Sequence, residues 1–429
     1  MLTDYWQRVR MIRRDAWIVM AGYAGFGFTW SGVSSVILNL FLLRMGYGPQ
    51  FVGLSMAAMG LGFALAALPA AAVSRWMGER RAMIVGAVGW VVGIVALSTA
   101  DLLPGPWRQP WILGMGVFGI SFVALYMVSS LPFLTAITTA EERPHAFAFY
   151  WALNPLGATL GGVVGGLLPG FLAGVTGTPV DQPRPYGYAL ALGMLVYVPI
   201  LWALSTLREG QPQRRTVDDR VERGAAPYVL LGVIALVCLL RVGGEFTART
   251  FFNVYLDSVW SVSTARIGAT VAVASLLTIP APLVTPLLIG RMGQVGTVVV
   301  GALGVAGSIV LLAFGGHWIV AAVAFVGLSA LAAMARSVWT LLTQEAVEPA
   351  WRSTVTGVSN LTSGLGAAAM SSAGGVMVTG LGYGVTFVTG AVLVVLGALV
   401  LWLYFRVPRA QVAVGLGGDP KYSRAQVRS

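Results

Sequence analysis

Lysine is almost missing: of 27 basic residues only Lys421 is a lysine. The phosphate-cradling pattern G-x-x-x-x-G-K-[ST] needs that residue, and Lys421 follows Pro420, so the chain carries no ATP-hydrolysing loop of its own. Cysteine is down to Cys238, which rules out an intrachain disulfide and any metal site built on cysteine pairs. The two histidines, His145 and His317, stand far apart with no H-E-x-x-H, so a zinc membrane protease is excluded and no cofactor or metal is expected. Charge is scarce as well. Charged residues make up 10% of the 429 positions, against about 25% in soluble domains, so this chain cannot clothe itself in water.

Long apolar runs take the place of the missing charge, and 57% of the residues are hydrophobic. Spanning the bilayer takes about 20 apolar residues per helix. Breaks at charges, prolines and glycine clusters give twelve candidate spans, at 15–43, 50–74, 82–102, 109–138, 145–174, 186–207, 227–257, 265–289, 295–315, 317–345, 352–380 and 383–406. The first is too long for a signal-peptide core, and no A-x-A site follows it, so it reads as a span that stays in place.

Arginines sit in the short breaks, which is how topology is signalled and is not how nucleic acid is bound. With the N-terminus inside, twenty basic residues fall on the cytoplasmic side and only Arg44, Arg108, Arg184 and Arg266 outside. Both termini are therefore expected in the cytoplasm, with the protein in the plasma (inner) membrane. Segment 208–226 is polar and reads as a cytoplasmic linker between an N-terminal bundle, 1–207, and a C-terminal bundle, 227–407. Residues 408–429 read as a disordered tail.

The halves repeat. Asn39 and Asn253 are offset by 214, while Gly53 and Gly78 find Gly268 and Gly293 at 215. The fifth and eleventh spans keep an offset of 209 through Arg143/Arg352, Gly157/Gly366 and Gly165-Gly166/Gly374-Gly375. Parallel repeats flanking a central cavity are a transporter architecture.

Those landmarks carry a resemblance to the major facilitator superfamily. The loop Ser74-Arg-Trp-Met-Gly-Glu-Arg-Arg81, with Arg75, Gly78, Arg80 and Arg81, resembles that family's short basic loop motif, and Gly290-Arg291-Met292-Gly293 is its counterpart. The family pattern places an aspartate before the basic residue, where this chain has Arg75 and Gly290. The glycine run Gly157, Gly161, Gly162, Gly165 and Gly166 is similar to the motif of the drug:proton antiporter branch, with Gly162 where that branch has proline. Small residues four apart also let helices approach closely, so packing accounts for the run equally well. The resemblance implies an all-α membrane protein of twelve transmembrane helices in two pseudo-symmetric six-helix bundles. It further implies a monomeric secondary transporter working by alternating access, an exporter coupled to protons. An uptake or lipid-translocating transporter of the same fold, or a membrane-embedded lipid-modifying enzyme, stands as the alternative.

Ionisable residues at mid-membrane cost roughly 2.5–3.5 kcal/mol each on insertion scales and so need a reason. The seventh span carries Arg241, Glu245, Arg249 and Asn253 at intervals of four, a stripe of about 18 Å, and the tenth carries Arg336. Either Glu245 merely neutralises an arginine along its helix, or the stripe faces a cavity and binds substrate or a coupling proton. Three arginines against one glutamate leave a surplus suited to an anionic or amphipathic small molecule. Asn39, Asn154, Tyr126 and Tyr150 complete the candidate binding set, with interhelical hydrogen bonding an equal role for Asn39 and Asn253.

Overall fold

The computed structural model describes residues 13–139, 142–207, 227–348 and 351–406, and all regular structure among them is helical. The expected linker at 208–226 and the tail from 408 lie outside these residues. Twelve apolar helices cross in turn. They are α1 Arg14–Arg44, α2 Pro49–Met77, α3 Glu79–Ser98, α4 Gly105–Ile137, α5 Arg143–Thr176 and α6 Pro183–Ser205, then α7 Tyr228–Trp260 and α10 Trp318–Glu345. Between these last two, α8 starts as Thr264–Leu277, loosens through a 3-10 turn at Ala281–Val284 and runs to 292, and α9 spans 294–314. α11 covers 352–381 and α12 covers 383–406.

Three of these boundaries are a single glycine with no loop. α8 turns directly into α9 at Gly293 (φ 71°), and α11 into α12 at Gly382 (φ 85°). Gly78 (φ 86°) turns α2 into α3, so the repeat partners Gly78 and Gly293 adopt the same left-handed turn. A side chain there would clash with its own backbone, which is why a reversal this tight needs glycine. Prolines also shape the helices. Pro280, Pro282 and Pro286 flank the 3-10 interruption of α8, because each removes an amide from the helical ladder.

The twelve helices form two six-helix bundles, and glycine faces join helices within and between them. Along α5, an added Cβ at Gly157 would lie 2.1 Å from the Ala24 carbonyl oxygen, and one at Gly161 2.1 Å from that of Phe28, so this face seats α1. The neighbouring face, Gly162 and Gly166, seats α8 of the other bundle around Gly268. The second half repeats the device. Gly366 of α11 packs on the Leu239 carbonyl of α7, while Gly375 packs on Pro49 and Gln50 of α2. Backbones approach this closely only where at least one of the two helices carries no side chain at the contact.

Opposite α5, residues Gly27–Ser34 of α1 wind as a π-helix. Thr29 inside it donates to the Gly25 carbonyl and accepts from the Trp90 indole at 3.1 Å, which fixes the widened turn. Large apolar side chains such as Leu65, Phe171, Trp202 and Leu287 lie exposed around the outside, as lipid contact requires.

Candidate functional site

Twelve crossings bring the chain back to the face where it began, so Arg14 and Arg406 define one terminal face. Contacts between the two bundles concentrate at the opposite, far face. Arg44 at the end of α1 forms a two-pronged ion pair with Asp257 of α7, at 2.7 and 2.6 Å. One turn deeper, the Asn39 amide donates to the Thr250 carbonyl at 2.9 Å, and the Asn253 amide donates to the Ser35 carbonyl. The Tyr186 hydroxyl of α6 pairs with Thr264 of α8 at 3.1 Å. Asn39 and Asn253 are thus spent on joining α1 to α7, and the interhelical role weighed for them is the one the structure displays.

Toward the terminal face the bundles part, and the charges lie where they do so. Glu245 stands in the middle of α7, 3% exposed. Its carboxylate accepts from Arg249 Nε at 2.6 Å and lies 3.7 Å from Arg336 Nη2 of α10. Arg336 is 65% exposed at transmembrane depth. It meets Glu245 of its own bundle at 3.7 Å, and Tyr23 of the other bundle lies within its electrostatic range. Thr340, one turn nearer the terminal face, is exposed too and continues this wall of the opening. Arg241 is buried one turn from Glu245, on the side away from Arg249. Its guanidinium sits over the Trp339 ring at 5.7 Å, and its Nε has no hydrogen-bond partner.

Aromatics build the facing wall. Tyr23 of α1 and Tyr150 of α5 stack with ring centres 4.1 Å apart and planes 1° apart, and Trp151 sets an edge against both. Ser130 of α4 holds the Tyr150 hydroxyl at 2.8 Å. Asn154 ties α5 to α1 by donating to the Tyr23 carbonyl at 3.1 Å, just before the π-helical stretch. Tyr126 stays behind this wall. It is buried, with its hydroxyl on the Val19 carbonyl, because the α1–α4 contact encloses it.

The motif residues lie elsewhere. Arg80 donates to the Ser205 carbonyl at the end of α6, while Arg75, Gly290 and Arg291 are exposed at the terminal ends of α2 and α8. Arg81 is exposed in the same loop. Sequence reasoning overlooked Tyr23 and the Arg44–Asp257 pair. Arg44 follows Asn39 by five residues and Asp257 follows Asn253 by four, a near-repeat of opposite charge that could have pointed to the pair.

Residues 19–371 match the family model described as Major Facilitator Superfamily. No curated protein matches. Among solved structures, a D-xylose–proton symporter superposes with a TM-score of 0.74 at 17% identity, covering 92% of this chain and 98% of its own. A bacterial homologue of the human lysosomal transporter Spinster, in an inward-facing and occupied conformation, gives 0.71 at 16% identity over 91% and 96%. The nucleoside transporter NupG gives 0.68 at 13% identity over 91% and 99%. Identities this low speak for the shared fold alone.

Proposed function

The chain belongs to the major facilitator superfamily and is an integral membrane transporter; from that premise we propose that it moves a small molecule by rocking residues 1–207 against 227–407 around the gap holding Glu245, Arg249 and Arg336. The observation that carries this reading is Arg336, a charge at transmembrane depth that is paired with Glu245, lies within electrostatic range of Tyr23 of the other bundle and is nonetheless 65% exposed. A purely structural ion pair would be closed over by neighbours, since solvent access weakens it. Glu245 holds Arg249 and Arg336 in place and keeps one of them when a substrate anion engages the other, so that no charge in the site is stranded.

The arginine distribution supports placing the terminal face in the cytoplasm. The gap then opens inward, in keeping with the inward-facing state of the Spinster homologue. Glu245 is the one carboxylate at mid-span among the described residues, and so it is the proposed seat of any proton coupling. Export in exchange for protons was suggested by the α5 glycines. Each of them has a packing partner on α1 or α8, a role indifferent to direction, and so direction rests on a flux measurement.

Reconstituted vesicles test the site. Glu245→Gln and Arg249→Gln should each cut counterflow of a transported solute about tenfold or more, while the purified protein keeps its elution profile. Normal counterflow in both variants at every pH would reduce the cluster to a packing element.

A further inference from the structure

We infer that the substrate is a small aromatic anion carrying two negative charges, held with its charged groups on the arginines and its ring on the opposite aromatic wall. The inference rests on the gap being the transport site, and it adds the chemistry of what enters. Three guanidiniums, Arg241, Arg249 and Arg336, share this part of the membrane with one carboxylate. Glu245 neutralises one of them, and among the described residues no second acid pairs with them: the other paired carboxylates, Asp257 and Asp101, are engaged near the far face with Arg44 and Arg184. Two positive charges therefore stay uncompensated.

Those charges are not idle. Arg336 extends into the gap, Arg249 is 28% exposed beside it, and Arg241 Nε is buried without a partner. An ammonium adds to the surplus charge and a neutral polyol supplies acceptors without cancelling it, whereas two carboxylates or one phosphate monoester supply charged acceptors and cancel the surplus. The second half of the assignment comes from the facing wall. Trp151 is 56% exposed and braced by the buried rings of Tyr23 and Tyr150, and Tyr23 lies within electrostatic reach of Arg336. A ring braced in this way is rigid, and Trp151 offers a planar body an offset stack that an aliphatic chain cannot match.

Purified full-length protein in detergent, titrated calorimetrically, provides the test. The probes are benzene-1,3-dicarboxylate, phenyl phosphate, benzoate, glutarate, benzamide, benzylamine and inorganic sulfate. The first two should bind about tenfold or more tighter than benzoate or glutarate, with benzamide, benzylamine and sulfate weaker still. Their ratio separates carboxylate from phosphate recognition. Arg336→Gln should erase the advantage of dianion over monoanion, and Trp151→Leu the advantage of aromatic over aliphatic dianion. Benzamide or benzylamine binding as well as the dianions overturns the assignment, as does failure of both aromatic dianions to bind the folded protein. A neutral solute whose counterflow is lost in Arg336→Gln would leave the transport site standing and remove the charge assignment. Tight dianion binding with undisturbed counterflow in Glu245→Gln and Arg249→Gln would do the reverse.

Discussion

At the scale of single residues, Glu245 is held from two sides. It is 3% exposed, hydrogen-bonded to Arg249 and faced by Arg336. Removing the charge while keeping the shape, as Glu245→Gln does, leaves two guanidiniums that water in the gap can still solvate. Glu245→Leu withdraws the hydrogen-bond acceptor as well. Breaking a buried pair from one side costs roughly 3–5 kcal/mol. Glu245→Leu should therefore lower the thermal midpoint of the detergent-solubilised protein clearly more than Glu245→Gln, and Glu245→Leu with Arg249→Leu should recover part of the loss. Equal midpoints for the two single variants would show that the pair is solvated and contributes little. The stripe itself was legible in the sequence, because charges in an apolar run every fourth residue have few explanations. Its partner Tyr23 was not. A tyrosine in an apolar helix looks like any other aromatic until the fold brings α10 across from α1.

At the scale of elements, glycine decides how helices meet. An added Cβ at Gly161 would sit 2.1 Å from the Phe28 carbonyl oxygen, a contact with backbone that no rotamer change relieves, whereas Gly170 on the same helix has nothing within 4 Å. Gly161→Ala should destabilise by about 1–3 kcal/mol, the range typical of an overpacked contact. Gly170→Ala should be neutral or slightly stabilising, since alanine is the better helix former. Thermal unfolding followed by size-exclusion fluorescence distinguishes them, and equal midpoints would mean that the α1–α5 contact is looser than its geometry. Gly268 differs, because its neighbours Gly162 and Gly166 belong to the other bundle. Gly268→Ala should wedge the far interface and shift the equilibrium between conformations more than it unfolds the chain. The spans were readable because each lies between charge or glycine breaks. The turns at Gly293 and Gly382 show how little sequence such a break needs. The π-helical stretch of α1 left no signature, because the packing against α5 and Trp90 that accompanies it is tertiary.

At the scale of the whole molecule, the proposed rocking of two bundles joined at one end makes the strength of the closed end decide which state is populated. That end has few polar fastenings. The Arg44–Asp257 pair is two-pronged and mostly shielded, with side chains 19% and 12% exposed, and below it lie the paired amides Asn39 and Asn253. Hydrogen bonds between charged groups contribute about 1.5–3 kcal/mol each in partly buried settings, enough to move a two-state equilibrium by roughly one to two decades. Asp257→Asn keeps the volume and some hydrogen bonding but removes the attraction to Arg44, so it should favour the state open at the far face. The readout is a cysteine at Thr250, which is 5% exposed beneath the fastening, in a Cys238→Ser background. An impermeant maleimide added to intact cells should label Thr250→Cys slowly on its own and several-fold faster when combined with Asp257→Asn. A second cysteine at Thr340, exposed toward the terminal face, should become slower to label in inverted vesicles with the same variant, because opening one end closes the other. Faster labelling at Thr250 with no change at Thr340 would mean local fraying of α7. Unchanged labelling at both would mean that the glycine contacts alone, Gly53 on Ser371 and Gly268 on Gly162, hold the far end shut.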